Sequence, residues 1–210
     1  MALTIIADVH GKYDQYLAVA RKYEYTIQLG DFGFRYDCLD EIDSNKHKLI
    51  FGNHDDYDQF YDVPHNLGDF GVTEHGGVTF FWMRGAFSID WQQRVSYDAT
   101  YGTKSWWVEE QLRWPEMEAA VELYRQEKPD IVITHTFPHT VAQKIGSRSF
   151  LANYGYDPDR FTTNTQQCLE TMINIHQPKH WYGGHFHRNR DLEFMGTKFH
   201  CLAELGVRTI

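Results

Sequence analysis

Apolar runs in this chain keep stopping at metal-capable side chains. Residues 3–9 (L-T-I-I-A-D-V) are short and β-branched, and they end at Asp8 with His10 just beyond. Residues 25–31 (Y-T-I-Q-L-G-D) end in Gly30-Asp31, and residues 47–55 (H-K-L-I-F-G-N-H-D) end in Gly52-Asn53-His54-Asp55. Residues 129–135 (P-D-I-V-I-T-H) end at His135, and residues 178–187 run through two glycines into His185 and His187. Short apolar runs bounded in this way read as buried strands. A helical spacing of Tyr13, Tyr16, Leu17, Ala20 and Tyr23 predicts an amphipathic helix over 13–23, between the first two strands. Strand, helix, strand and strand, each strand with polar groups at its C-terminal end, predicts an α/β sheet that gathers its ligands at one edge.

Asp, Asn and His are hard-to-borderline ligands, suited to Mn, Fe, Ni, Zn or Mg and not to soft ions. In extended chain, residues i and i+2 point the same way, roughly 7 Å apart. The spacing therefore predicts that Asp8 and His10 face one centre, and His185 and His187 likewise. Singly, each signal is weak. A lone D-x-H is common, Gly-Asp at a strand end is usually a turn, and one histidine after a strand is usually a satisfied polar residue. Five such endings in one chain are another matter, because the ends of parallel strands converge.

The remainder of the chain is less regular. Residues 74–86 read as hairpin material, with turn glycines before a strand over 78–83. Residues 87–114 are aromatic and polar and resist placement. A helix is predicted from Pro115 to Glu127, with proline at a favoured first position. Residues 136–164 hold Gly146, Gly155 and Pro158 and show no clean period, so they read as a long excursion serving as lid or cleft wall. A helix over 165–177, a strand over 178–185 and a closing hairpin around Met195-Gly196-Thr197 complete the prediction. No repeat, linker or low-complexity tract divides the 210 residues, which predicts one domain over 1–210.

A net charge of −9 disfavours general nucleic-acid binding, since phosphate contacts come from Lys and Arg. The three cysteines, Cys38, Cys168 and Cys201, lack paired spacing, which argues against a disulfide framework and a thiolate metal site. No apolar run approaches the roughly 18 residues of a membrane span, and the N-terminus has no basic segment. The expectation is a cytoplasmic protein that meets no membrane.

The ordered set Asp8-Val9-His10, Gly30-Asp31, Gly52-Asn53-His54-Asp55, His135 and Gly184-His185-Phe186-His187 resembles the calcineurin-like metallophosphoesterase superfamily. R-G-A-F-S-I-D-W-Q-Q-R (84–94) and W-W-V-E-E (106–110) look, more loosely, like its short bacterial and phage members. The resemblance implies an α/β sandwich, two mixed β-sheets packed face to face and flanked by helices, with a dinuclear metal site at the sheet edge. It implies that Asp8, His10, Asp31 and His187 bind one ion and that Asp31, Asn53, His135 and His185 bind the other. Asp31 would bridge, and the ions would be divalent transition metals, manganese foremost, with Fe, Ni, Zn or Mg as alternatives. The implied reaction is hydrolysis of a phosphomono- or phosphodiester by attack of a metal-bridging hydroxide. His54 would protonate the leaving group, with Asp55 holding its ring.

The phosphatase motif G-D-x-x-D-R-G is broken here at Phe34 and Tyr36, which weakens a phosphoprotein reading. Arg35 is a candidate phosphate clamp, beside Asn53, with a surface ion pair as its alternative. Arg84 and Arg94 are further cleft candidates, while Trp106 and Trp107 read as core. The expected partner is a small phosphorylated molecule or nucleotide. The rival readings are a non-catalytic metal-binding or protein-interaction module on the same scaffold, and a nuclease.

Overall fold

The computed structural model describes residues 2–210. One sheet holds four strands in the order β10-β1-β2-β3: β1 (Leu3–Ile6), β2 (Tyr25–Gln28), β3 (His47–Leu49) and β10 (Val207–Thr209). In it β1, β2 and β3 run parallel, and β10 lies antiparallel along β1 with Thr4 opposite Thr209. The second sheet has the order β4-β5-β6-β7-β9-β8, from β4 (Phe70–His75), β5 (Val78–Met83), β6 (Ile131–Thr134), β7 (His180–Gly183), β8 (Arg190–Phe194) and β9 (Thr197–Cys201). Its middle pairs, β5-β6, β6-β7 and β7-β9, are parallel; the outer hairpins are antiparallel.

Alternation along each strand explains the layering. Leu3, Ile5, Ile27 and Leu29 of the first sheet pack against Phe80, Trp82, Ile133 and Tyr182 of the second. The intervening Ile6 turns the other way, onto Tyr16, Leu17 and Ala20 of α1 (Tyr13–Ala20). Phe81, Val132, Trp181 and Phe199 cover the opposite face of the second sheet. There they meet α3 (Trp114–Glu127), α4 (His139–Ile145) and α6 (Asn164–Ile175) through Met117, Tyr124, Val141, Leu169 and Met172. Strands covered on both faces read as continuous apolar runs, not as alternating ones. The expected α/β sandwich of two mixed sheets is what the chain forms.

Helix ends follow local chemistry. Thr163 caps α6 by accepting from the Gln166 backbone N–H at 3.2 Å. At α3, the Glu116 carboxylate accepts from the Arg113 backbone N–H at 2.6 Å, and Pro115 sits in the first turn. The regions that resisted prediction hold helices too. They are α2 (Trp91–Tyr101) within 87–114, and α4 with α5 (Arg148–Asn153) within 136–164. Neither α2 nor α5 buries a residue, so neither carries an apolar stripe to betray it. No helix among the described residues is long and apolar enough to cross a membrane.

Candidate metal centre

The parallel strands deliver their C-terminal ends to one edge of the sandwich. The loop after β1 is pinned to the loop after β2, since Val9 and His10 donate their backbone N–H groups to the Asp31 carbonyl at 2.9 and 2.8 Å. The loop after β7 is pinned to the one after β6, where Gly184 donates to the His135 carbonyl at 3.0 Å. Two carboxylates tie the loops further. Asp31 Oδ1 accepts from the His54 N–H at 2.7 Å, and Asp8 Oδ2 accepts from the His185 N–H at 2.8 Å.

The expected extended geometry is corrected here. Strand β7 ends at Gly183, and His185 and His187 both sit at positive φ, 66° and 51°. His10 (47°) and Asp31 (56°) do the same. Such backbone costs about 1–3 kcal/mol per non-glycine residue and persists where the surroundings impose it. The turns send His185 and His187 to different neighbours, which two alternate residues of a flat strand would not reach. Glycine is required alongside. A Cβ at Gly184 would run into Asp8 Oδ1, and one at Gly52 into Asp31 Oδ1.

Two groups of ligand atoms result. Asp8, His10, Asp31 and His187 each offer one atom, all within 4.8 Å of one another, and so do Asp31, His135 and His185. Asp31 belongs to both. Asn53 joins the second group, its Oδ1 3.2 Å from His135 Nε2. His135 Nδ1 lies 2.8 Å from the Leu29 carbonyl, which can only accept, so Nδ1 carries a proton. Nε2 then faces Asp31 Oδ1 at 3.1 Å and Asn53 Oδ1 at 3.2 Å. His10 Nε2 and His187 Nε2 are 2.8 Å apart in the first group, and Asp8 Oδ1 is buried with no hydrogen-bond partner.

These carboxylates and imidazoles converge on two points, an environment a cation satisfies. Burial and the neighbouring charges shift them in different directions. Burial pushes Asp8 up to about 7. Burial opposes the Asp31 charge, but His135, His54 and His10 outweigh it and hold this carboxyl well below its usual value. His135 is pulled down by burial and lifted more strongly by Asp31 and Asp8, to about 9. Burial keeps His10 and His185 neutral, at about 4 and about 3, in the lone-pair form a metal needs.

The other predicted residues divide. His54 lines the cavity in front of the clusters, its ring edge-on to His10 at 5.2 Å between centroids. Asp55 does not hold that ring. Its two oxygens accept from the backbone N–H groups of Asp31, Phe32, Gly33 and Gly52 and from the Tyr36 hydroxyl, so it latches the loops that carry Asp31 and Asn53. Arg35 is an exposed ion pair with Asp37 at 3.0 Å, outside the cavity, because the chain turns outward there into a short 3-10 segment over Asp37–Glu41. Arg84 is likewise no cleft residue. It is buried against Asp69 at 2.6 Å and lies over the rings of Tyr57 and Phe60. Arg94 reaches the site from behind, donating to the Asn53 carbonyl at 3.2 Å. Trp107 is core, as expected.

A cavity of about 690 Å³ opens over the clusters, with Asp31, Asn53, His54, His185 and His187 at its floor. The 136–164 excursion does wall it, through Phe150, Leu151, Tyr154 and Phe161, facing Phe87 and Phe186. Sequence reasoning missed Arg188, which also lines it. Its guanidinium donates to the Ile145 carbonyl at 3.2 Å and has no carboxylate partner among the described residues. Its place directly after the G-H-F-H motif was the available signal.

No curated protein matches the chain at the sequence level. A dimetal phosphatase from Danio rerio is similar in structure, with 13% identity and a TM-score of 0.56, over 100% of this chain and 91% of that one. The phosphopantetheinyl hydrolase of Mycobacterium tuberculosis is similar at 14% identity and a TM-score of 0.48, over 100% and 95%. At 13% identity the likeness to the dimetal phosphatase is one of fold. The sequence model of the family described as calcineurin-like phosphoesterase matches residues 1–189, and with its motifs gathered at one sheet edge the chain belongs to that family.

Proposed function

We propose that this hydrolase of phosphoric esters holds two divalent transition-metal ions, manganese foremost, and acts on a small phosphomono- or phosphodiester such as a nucleotide. The observation that carries this reading is Asp31, whose carboxylate belongs to both ligand groups at once. A carboxylate has two oxygens and can serve two ions. Asp8, His10 and His187 would complete one set, and Asn53, His135 and His185 the other. When bound, such a pair lowers the pKa of a water and polarises phosphoryl oxygens.

The chain's own residues do the rest. His54 faces the cavity beside the clusters and hands a proton to the leaving oxygen. Arg188, whose guanidinium is held by the Ile145 carbonyl and has no carboxylate partner among the described residues, presents it to the substrate's anionic oxygens. The aromatic wall takes the organic group and excludes water. A cavity of this size supports a small substrate and not a phosphoprotein or a long duplex. We read the 210 residues as one such domain, and the three free cysteines favour the cytoplasm.

The test is elemental analysis joined to a hydrolysis panel: p-nitrophenyl phosphate, bis-p-nitrophenyl phosphate, and cyclic and linear nucleotides, each with Mn, Ni, Zn or Mg. Two ions per chain and turnover of at least one ester are expected. Two ions with no turnover at all would leave a binding module instead. His54→Ala is expected to keep its metals and lose about 10²–10⁴-fold in turnover. The loss shrinks for p-nitrophenolate, which leaves without a proton, relative to an alkyl ester. An equal loss on both assigns His54 to phosphate positioning.

A further inference from the structure

Behind Asn53 lies a polar cluster that the reaction does not touch. The Asn53 amide nitrogen donates to Ser88 Oγ at 3.1 Å. Arg94 Nη1 donates to the same Ser88 oxygen at 2.7 Å, to the Asn53 carbonyl at 3.2 Å and to Glu110 Oε1 at 3.2 Å. Ser88, Glu110 and Asn53 are 1%, 2% and 3% exposed. Arg94 Nη2 and Glu110 Oε2 are buried without hydrogen-bond partners. A buried ion pair with unsatisfied atoms contributes little stability, and each unsatisfied group calls for another explanation.

We propose that Ser88, Arg94 and Glu110 form an anchor that fixes the Asn53 side-chain amide with its oxygen, and not its nitrogen, toward the second ligand group. The inference rests on the two-metal reading above. A guanidinium can only donate, so Arg94 claims one lone pair of Ser88 Oγ. Ser88 Oγ keeps a second lone pair, and it accepts from the Asn53 amide nitrogen. With the NH₂ of the planar amide held by Ser88, Oδ1 falls on the far side, 3.2 Å from His135 Nε2. The anchor also accounts for α2, which buries no apolar residue yet sends Arg94 inward, its side chain 10% exposed. Ser88, Arg94 and Glu110 are positioning residues: they act through Asn53 and touch neither ion nor substrate.

The test reads metal uptake by chelator-stripped protein, by calorimetric titration with Mn, alongside thermal unfolding. Ser88→Ala is expected to weaken the second ion about 10–100-fold, the usual cost of losing an outer-shell partner, and to leave the first ion unchanged. Ser88→Thr keeps the hydroxyl and is expected to restore it. Asn53→Asp offers oxygen in either orientation, so in that background Ser88→Ala is expected to cost less than about threefold. An equal cost in both backgrounds, or an equal weakening of both ions with a lowered unfolding temperature, overturns the anchor in favour of plain packing. Wild type with two ions and Ser88→Ala indistinguishable from it overturns the anchor and leaves the two-metal reading standing. Wild type that takes up fewer than two ions overturns both.

Discussion

The two halves of the metal centre are built differently. The half around His135 and Asn53 is the more deeply buried, with Asn53 and His185 reaching the cavity floor. His135 is fully buried with its tautomer fixed by the Leu29 carbonyl, and Asn53 is braced by Ser88 and Arg94. The half around His10 and His187 is the more exposed, with side chains 22% and 47% exposed and their nitrogens resting against each other, and His187 reaches the cavity. Pre-organisation is concentrated where water is excluded, because there a misplaced polar atom has no solvent to fall back on. The open half can adjust, and an open position is what a catalytic metal site keeps for water and substrate. The inner half behaves as part of the fold, the outer half as a docking point for chemistry.

The strongest way to break this contrast is to remove what the halves share. Asp31→Asn is expected to lose both ions by elemental analysis and, with them, all measurable turnover. Full occupancy of both sites in this variant would show that Asp31 does not bridge. Metal removal comes next. Each ion present at a hundredfold above its dissociation constant stabilises the fold by about 2.7 kcal/mol, so stripping with a chelator is expected to lower the melting temperature in two separable steps as the ions leave. A single step at all chelator concentrations would mean that the halves bind as one unit.

The smallest effect sharpens the contrast most. In metal-free protein, His135→Ala leaves the Leu29 carbonyl without its buried donor and is expected to cost about 1–3 kcal/mol in denaturant unfolding. His187→Ala, at the rim, is expected to change metal-free stability by less than about 0.5 kcal/mol while still losing the ion of its own half. Equal destabilisation by the two variants would erase the distinction between a buried and an open half.

Much of this was legible in the sequence, and what was not shares a cause. Each of the seven candidate ligands lies just past an apolar strand, which is a local signal, and the resemblance to the family separated them from His54, which shares that signal. His54 could be placed near them by adjacency to Asn53. Asp55, next along, was misread for the same reason. Adjacency suggested a partner for the His54 ring, whereas its oxygens go to backbone donors some twenty residues earlier, at Asp31, Phe32 and Gly33. Arg35 was plausible from its motif and lost to Asp37, two residues away. Arg94, a weaker candidate for the cleft, proved to matter from the other side, through contacts 41 residues back along the chain.

By itself the sequence determined the strands that lead to the site and which ligand chemistry waits beyond each, though not the edge strand β10 or the residue at which each strand ends. Those depend on neighbours within a few residues: an apolar run, a glycine, then a donor atom. Only the tertiary structure decided that His185 and His187 part company, that Asp31 is held in common, and that a helix with no apolar face reaches in to brace Asn53. Those outcomes depend on positive-φ turns imposed by packing and on hydrogen bonds between distant segments. A linear pattern does not encode them, because their energy comes from groups that meet only after the two sheets have closed on each other.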